Sequence, residues 1–409
     1  MNTKINPPDL RKTGKIFSCV LLVSSLLVLS GCVLPGVLTP VSPATSTPSP
    51  LPATATLEPT PTATPLPTST PTPEPTMPVY PNLTYIKMVD ETYGWGLTNN
   101  LILRTSDGGL NWQYVIPAGM IISELPIRGY FLDANTGWIW ISNLPDGSRG
   151  VLYRTSDGGQ NWQSSEAPFG SPNLQFLDIM NGYANWSPGA AAGSSTLELF
   201  QTIDGGGTWV KVYAIDPKRG DAAGELPFSG QKSGVIFRDL NHAWATGSSP
   251  MEGYTWFFAS QDSGKTWRHQ GLKLPAGFEK GQVNLDPPRV LNAQEAILPA
   301  LIVTDQPRRF FYFTRNGGDT WRIFQPTGDG PYDFISIKEG WVWAGGMVHS
   351  TKDGGKTWTD QPNNVDVSLF ALQIDFINSL TGWALLQDAG RVARLYKTVD
   401  GGATWSALW

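Results

Sequence analysis

Short runs of apolar and β-branched residues alternate with small, turn-forming residues throughout positions 79–409. Residues 101–104 and 113–116, for example, flank the octapeptide Thr105-Ser106-Asp107-Gly108-Gly109-Leu110-Asn111-Trp112. Asp-Gly between two such runs is a strong hairpin signal, because glycine supplies the positive φ that a tight turn needs. The pattern therefore predicts pairs of short strands joined by turns that end in a large apolar side chain.

The same octapeptide occurs seven times, with an Asx residue in third place and a tryptophan in eighth place. The third residues are Asp107, Asp157, Asp204, Asp262, Asn316, Asp353 and Asp400, and the eighth are Trp112, Trp162, Trp209, Trp267, Trp321, Trp358 and Trp405. An Asx side chain can accept backbone N–H groups within its own turn. Catalysis instead needs unlike groups converging on one point. We therefore interpret these residues as structural, and Asn316 agrees because it keeps the acceptor without the charge.

A second turn lies roughly 15 to 25 residues upstream of each octapeptide. Its leading residues are Asp90, Asp133, Asp178, Asp239, Asn292, Ser336 and Asn378, and in five copies the turn is followed by Trp95, Trp138, Trp244, Trp341 or Trp383. Two hairpins per repeat give four strands in about 47 residues, which matches the blade of a β-propeller. The fold class predicted for residues 79–409 is all-β, a seven-bladed β-propeller of four-stranded antiparallel blades.

The closure of the ring has two solutions. Either each blade uses four consecutive strands, so that no N-terminal strand locks the ring, or residues 77–81 supply the outer strand of the last blade. We favour the first, because the strands are in phase from A of the first blade to D of the last, with about five residues, Trp405 to Trp409, for the last outer strand.

The N-terminus has the pattern of an export signal. Lys4, Arg11, Lys12 and Lys15 precede an apolar run at residues 16–29, which is shorter than the roughly 20 residues of a spanning helix. The run ends in Leu29-Ser30-Gly31-Cys32, which resembles the lipobox of bacterial lipoproteins. The resemblance implies a signal peptide at residues 1–31 and a lipid on Cys32. It also implies anchoring to the outer face of the cytoplasmic membrane or to the outer membrane.

Residues 32–78 follow as a linker whose composition is almost wholly Pro, Thr, Ser, Ala and Leu. Such a segment cannot bury a core and favours an extended, disordered chain of polyproline II character. At about 3.1 Å per residue it could hold a domain up to roughly 140 Å from the membrane.

The composition of the chain argues against several classes of function. The net charge of −5 argues against nucleic-acid binding, which needs clustered Lys and Arg. Two cysteines and three histidines leave little for a disulfide framework or a metal site, so we expect neither metal nor cofactor. Of the 17 tryptophans, the two repeated turns use twelve.

The octapeptide resembles the Asp-box, or BNR repeat, of sialidases and related propellers. Its pairing with the upstream turn over residues 83–409 looks most like the photosystem II stability/assembly-factor propellers. The resemblance implies a non-enzymatic surface lipoprotein that binds a protein or assists assembly of a membrane or envelope complex. A carbohydrate-binding or sialidase-like glycosidase is the alternative. Against it, Arg104 is the only arginine of the propeller before Asp107, whereas sialidases place an arginine motif there.

Binding residues are expected on the face opposite the two repeated turns, because all loops of variable length fall there. Aromatic and arginine side chains on exposed loops are common anchors of protein recognition. The candidates are Arg149, Trp186, Lys218, Arg219, Tyr254, Trp256, Arg308 and Arg309. We expect a monomeric propeller with a protein partner, and a carbohydrate ligand is the alternative.

Overall fold

The computed structural model describes residues 80–120, 127–191, 193–218, 222–325, 328–362, 364–366 and 368–409. They belong to a compact unit, Pro73–Trp409. The predicted signal peptide, Cys32 and the linker up to residue 78 lie outside the described residues. No helix in the described ranges is long and apolar enough to cross a membrane.

The chain forms antiparallel strands arranged in seven consecutive groups, each with four strands A to D in chain order. Groups 1 and 2 comprise β1 Tyr85–Met88, β2 Gly94–Leu97, β3 Ile102–Thr105 and β4 Gln113–Tyr114, then β5 Ile127–Phe131, β6 Gly137–Ser142, β7 Gly150–Thr155 and β8 Gln163–Ala167. Group 3 comprises β9 Asn173–Phe176, β10 Gly182–Trp186, β13 Glu198–Thr202 and β14 Val210–Ala214, with an extra hairpin of β11 Ala190–Ala191 and β12 Ser194–Ser195.

Groups 4 and 5 share one nine-stranded sheet, because β16 also pairs with β19. Group 4 comprises β15 Gln231–Phe237, β16 Ala243–Ser248, β17 Phe257–Ser260 and β18 Arg268–His269. Group 5 comprises an A strand in two pieces, β19 Gln282–Leu285 and β20 Arg289–Val290, then β21 Ala296–Val303, β22 Pro307–Thr314 and β23 Arg322–Phe324. Groups 6 and 7 comprise β24 Tyr332–Phe334, β25 Gly340–Ala344, β26 Met347–Thr351 and β27 Thr359–Gln361, then β28 Phe370–Phe376, β29 Gly382–Gln387, β30 Ala393–Thr398 and β31 Ser406–Ala407.

Each octapeptide connects strands C and D through a turn that its Asx side chain holds together. In group 3, Asp204 Oδ1 accepts the N–H of Thr208 at 2.9 Å, and Oδ2 accepts the Thr208 hydroxyl at 2.7 Å. The Thr202 hydroxyl donates to Oδ1 at 2.7 Å and accepts the N–H of Gly206 at 2.9 Å. The prediction that the carboxylate accepts backbone N–H groups in its own turn is confirmed.

Asn316 makes the same turn with an amide. Its Oδ1 accepts the N–H of Thr320 at 3.0 Å, and its Nδ2 donates to the Thr320 hydroxyl at 3.0 Å, so one hydrogen bond only reverses direction. The geometry of this turn therefore does not depend on charge.

The A–B turn and the C–D turn of every group lie side by side at one end of the sheet. In group 1 the N–H of Gly108 donates to the carbonyl of Thr92 at 2.8 Å, and the corresponding bond is present in all seven groups. The A–B turns have their own side-chain acceptors, such as Asp133 Oδ1 bound to the N–H groups of Asn135 and Thr136, or Ser336 Oγ in group 6. This end of each group is called the turn face below, and the opposite end, with the B–C and D–A loops, the loop face.

A large side chain after the A–B turn packs on the A strand of the following group. Trp138 stacks on Phe176 at 3.7 Å, Tyr183 on Phe237 at 3.4 Å, and Trp341 on Phe376 at 3.8 Å between ring centroids. The tryptophans that follow A–B turns are at most 4% exposed. Among the octapeptide tryptophans, only Trp267 and Trp405 are buried to that extent.

The glycine that precedes the packed aromatic residue is explained by the space around it. A Cβ atom on Gly137 would lie 2.8 Å from the ring of Phe131, and one on Gly182 or Gly340 would collide with Phe176 or Phe334. In these groups the Phe of the A strand therefore occupies the space that a side chain at the glycine would need, and its ring also packs on an aromatic residue of the preceding group.

The packing continues from group 7 back to group 1. Trp383 donates to the carbonyl of Gly108 at 2.8 Å, and its cluster contains Met88, Leu103 and Leu395. No strand in the described ranges crosses this junction, because β28 to β31 complete group 7 on their own. Tyr80 and Pro81, the described part of residues 77–81, belong to no strand. The arrangement with four consecutive strands per group is the one observed.

Substituting Asp204 tests the role of the turn carboxylate. We expect Asp204→Ala to lower the free energy of unfolding by about 1 kcal/mol, since backbone and hydroxyl donors lose their acceptor. Asp204→Asn should lie within about 0.5 kcal/mol of wild type at pH 7, as Asn316 shows the amide to be compatible. Urea unfolding monitored by tryptophan fluorescence measures both.

The difference in stability between Asp204→Asn and wild type should depend on pH. Despite partial burial, hydrogen bonds from Thr208 and Thr202 lower the pKa of Asp204 from 3.8 to about 2. A lowered pKa in the folded state contributes stability above pH 4 that is lost as pH falls toward 2. Asp204→Asn should therefore gain on wild type below pH 4, and a difference that is independent of pH would contradict this role.

Candidate functional site

Four of the side chains predicted to form a binding face line three separate cavities. Arg149 lines a cavity of about 470 Å³ together with Glu166. Tyr254 lines a second of about 530 Å³, and Arg308 and Arg309 line a third of about 270 Å³. These candidates therefore do not converge on one point.

Trp256 is not an exposed anchor, and this expectation was wrong. The side chain is 1% exposed, its indole N–H donates to the carbonyl of Ser229 at 3.0 Å, and the Lys232 ammonium lies 5.1 Å above its ring. The segment that connects groups 3 and 4 folds over it, a long-range contact that local sequence cannot reveal.

Arg309 also has structural partners. Its side chain is 15% exposed, donates to Asp286 at 2.6 Å and to Asp329 at 3.0 Å, and lies 5.5 Å from the centroid of Tyr332. Its neighbour Arg308 is exposed at the start of β22. Of the two arginines, only Arg308 is presented to solvent.

Two aromatic candidates are half-buried. The indole N–H of Trp186 donates to Glu198 Oε2 at 3.1 Å, and its ring packs on the cluster between groups 2 and 3. Tyr254 stacks on His269, with ring centroids 5.0 Å apart and planes 10° apart. His269 Nε2 lies 2.9 Å from the carbonyl of Thr255, which fixes this platform against group 4.

Of the remaining candidates, Arg149 and Lys218 are exposed. Arg219 lies outside the described residues. Among the described members of the predicted set, the exposed cations are thus Arg149, Lys218 and Arg308.

The centre of the fold contains charged residues that the sequence analysis missed. The A strands are innermost, since β1 contacts β28, β24 contacts β28, and β5 contacts β9. Three residues before the leading residue of the A–B turn, groups 5, 6, 7 and 1 place Arg289, Asp333, Asp375 and Lys87 in succession. We call these four residues the charged arc.

Neighbouring members of the charged arc are linked. Arg289 pairs with Asp333, and Lys87 pairs with Asp375 at 3.0 Å. Each carboxylate also binds the backbone of the next A strand, because Asp333 accepts the N–H of Phe376 at 2.7 Å and Asp375 accepts that of Met88 at 2.5 Å. Burial raises the pKa of Asp333, and Asp375 adds to the rise while Arg289 opposes it.

The two carboxylates have little access to solvent. Asp333 is 2% and Asp375 is 3% exposed, and both already bind a cation and a backbone N–H. In a glycosidase, paired carboxyl groups must reach the scissile bond and an attacking water or carboxylate. The arc joins neighbouring A strands across three junctions, between groups 5 and 6, 6 and 7, and 7 and 1. Among the described residues no three His, Cys, Asp or Glu side chains are grouped to hold a metal ion.

A signal for the arc was present in the sequence. Aligning the seven copies on the residue that leads the A–B turn places Lys87, Arg289, Asp333 and Asp375 in one register. Neither pairing between blades nor burial follows from that alignment alone, because both depend on how the A strands meet.

Solved structures with the same fold include both binding proteins and enzymes. The chain resembles YCF48 from Cyanidioschyzon merolae (18% identity, 79% of this chain and 97% of that one, TM-score 0.54) and YCF48 bound to D1 peptide (18%, 77% and 92%, TM-score 0.50). It also resembles the GH74 xyloglucanase from Xanthomonas campestris (13%, TM-score 0.52), with 80% of this chain covering 54% of that one. No family model and no curated protein matches the sequence. The similarity establishes a β-propeller fold.

The role of Asp333 can be tested through pH. Asp333→Asn keeps an oxygen acceptor for the Phe376 N–H and removes a carboxylate whose pKa is raised in the folded state. A raised pKa contributes stability at low pH that is lost as pH rises through the folded-state value. We therefore expect the stability of Asp333→Asn relative to wild type to increase from pH 4 to pH 8 in urea titrations.

Asp333→Ala is the control, because it leaves the buried Phe376 N–H without an acceptor. It should be about 2 kcal/mol less stable than Asp333→Asn across the same pH range, because neither variant carries the titrating carboxyl. A wild-type protein that gains stability over Asp333→Asn as pH rises would contradict the assignment.

Proposed function

We propose that this chain is an exported, lipid-anchored, seven-bladed β-propeller that binds a protein partner, or assists assembly of a membrane or envelope complex, without catalysing a reaction. The proposal that the chain does not catalyse a reaction rests on the carboxylates of the charged arc and of the octapeptides, which are already bound to other groups of the protein. Those that lie together in the charged arc are buried and bound to cations and backbone. The octapeptide carboxylates are occupied by their own turns.

The count of seven blades is supported by the junctions. Seven apolar clusters alternate with the seven strand groups, and the cluster of Trp383 and Met88 joins the last group to the first. The same aromatic stack joins groups 2 and 3 and groups 6 and 7, as expected when equivalent blades follow one another around a ring.

A protein partner is supported by the composition of the loop face and by the fold. Arg149, Lys218 and Arg308 are exposed there, and arginine is frequent among residues that dominate binding energy. A protein of the same fold, YCF48, has been seen with D1 peptide. Photosystem II assembly is the role of this kind that the resemblance suggests.

Carbohydrate binding is the second candidate. The observation in its favour is the flat Tyr254–His269 platform beside a cavity of about 530 Å³, a size typical of small-molecule sites. A glycan array and turnover of a fluorogenic sialoside separate the candidates, since we expect neither retention of a glycan nor turnover. Saturable binding of one glycan, lost in Tyr254→Ala, would favour the second candidate.

The loop-face cations are tested by charge reversal. Arg149→Glu, Lys218→Glu and Arg308→Glu combined in the unit Pro73–Trp409 should reduce capture of the partner from native membranes by at least tenfold, because electrostatic complementarity is inverted. The matched control reverses three exposed turn-face cations, Lys265, Lys338 and Lys352. Mass spectrometry quantifies the captured protein. Equal loss in both variants, or in neither, would refute the loop face.

The lipid anchor is tested at Cys32. Cys32→Ser removes the thiol to which the lipid would attach, so we expect loss of incorporated palmitate label and release from the membrane pellet after carbonate washing. Cys19→Ser is the control, because Cys19 lies inside the apolar run that a signal peptidase would remove. Retention of label and membrane association in Cys32→Ser would contradict the lipoprotein assignment.

A further inference from the structure

One cavity on the turn face lies between the octapeptides of groups 5 and 6. It has a volume of about 270 Å³ and is lined by both polar turn residues and apolar side chains. Three cations contribute to its wall, Arg315, Arg322 and Lys356. Phe313, Phe324 and Ile337 contribute the apolar part, and Phe313 packs edge-on against Phe324 at 5.5 Å.

Within the part of the chain that the structure describes, these three cations are unpaired. No hydrogen bond or ion pair joins the Arg315, Arg322 or Lys356 side chain to another described residue, and all three are exposed. The neighbouring junction between groups 4 and 5 differs, since Arg238 there binds Asp239 and the carbonyl of Gly317. A set of unpaired cations around one concave site attracts anions.

One position in the lining of this cavity is uncharged, although the equivalent position of the other octapeptides carries a carboxylate. Asn316 lines the cavity at the position that carries a carboxylate in the other six octapeptides. The lining carboxylate among described residues, Asp353, is occupied by Thr351 and Thr357 of its own turn. Asp319 of the same turn lines the neighbouring cavity with Arg238. The lining of this cavity therefore has three positive charges and one negative charge.

We propose that this cavity is a binding site for a carboxylate carried by an apolar group, such as the C-terminal end of a peptide with a large apolar side chain. Arg315, Arg322 and Lys356 would bind the carboxylate, since guanidinium groups match its geometry. Phe313, Phe324 and Ile337 would contact the apolar group. The site goes beyond the proposed function, because it lies on the turn face and uses none of the loop-face cations.

The substitution that tests the site most directly is Asn316→Asp. It restores the residue that six other turns carry, so the turn is retained, while a carboxylate returns to the wall of the cavity. We expect affinity for N-acetylphenylalanine to fall about tenfold, as a like charge opposes the ligand. Asp262→Asn, at the same place in group 4, is the matched control and should stay within twofold of wild type.

Ligand-observed NMR titrations use residues 32–409 with Cys32→Ser in every variant, so that lipid attachment does not differ. N-acetylphenylalanine should bind with a dissociation constant in the millimolar range or below, and its amide at least tenfold more weakly. Arg322→Gln should match Asn316→Asp, and higher ionic strength should weaken binding. Thermal unfolding confirms that each variant is folded.

Three results would overturn the proposal. They are equal affinity for the acid and its amide, unchanged affinity in both Asn316→Asp and Arg322→Gln, and inorganic phosphate binding as tightly as N-acetylphenylalanine. The last would assign a site for simple anions without an apolar requirement. None of these results bears on the loop-face variants, so the two proposals stand or fall separately.

Discussion

The stacked contact between neighbouring groups is the interaction on which the rest of this structure depends. A four-stranded group has two apolar faces and cannot bury either alone, so its stability comes from the next group. Trp138, Tyr183 and Trp341 each lie flat on a phenylalanine of the following A strand. That arrangement requires glycine in front of the aromatic residue, because the phenylalanine of its own group fills the space of a Cβ atom.

At the junction between groups 7 and 1, Trp383 lies in a cluster with Met88 where most other junctions have a phenylalanine. Trp383 reaches Gly108, and Gln373 exchanges two hydrogen bonds with the backbone of Ile86. Asp375 adds a bond to the N–H of Met88 and an ion pair with Lys87. Polar side chains on the A strands therefore do at this junction what a shared strand could otherwise do. At this junction the charged arc therefore joins the A strands of groups 7 and 1.

The turn face and the loop face differ in which side chains are available to a ligand. On the turn face the Asx side chains satisfy their own turns, which leaves most of it as a scaffold, and the departure at Asn316 stands out for that reason. On the loop face the chain between groups 3 and 4 covers Trp256, while Arg149 and Arg308 stay exposed. The proposed sites therefore lie where the chain departs from the repeat, at Asn316 and in the loops of variable length.

The sequence by itself determined the all-β class, the turns and the repeat, because Asx, glycine and tryptophan act within eight residues of one another. The turn bonds of Asp204 and the reversed bond of Asn316 could be expected from residue type alone. Only the tertiary structure decided that Trp256 and Arg309 bind other residues of the protein and are not exposed anchors. Their partners Ser229, Asp286 and Asp329 are 20 or more residues away. The same holds for the charged arc and for the cations around Asn316. Strand pairing and junction packing bring such residues together, and no local pattern specifies how close they come.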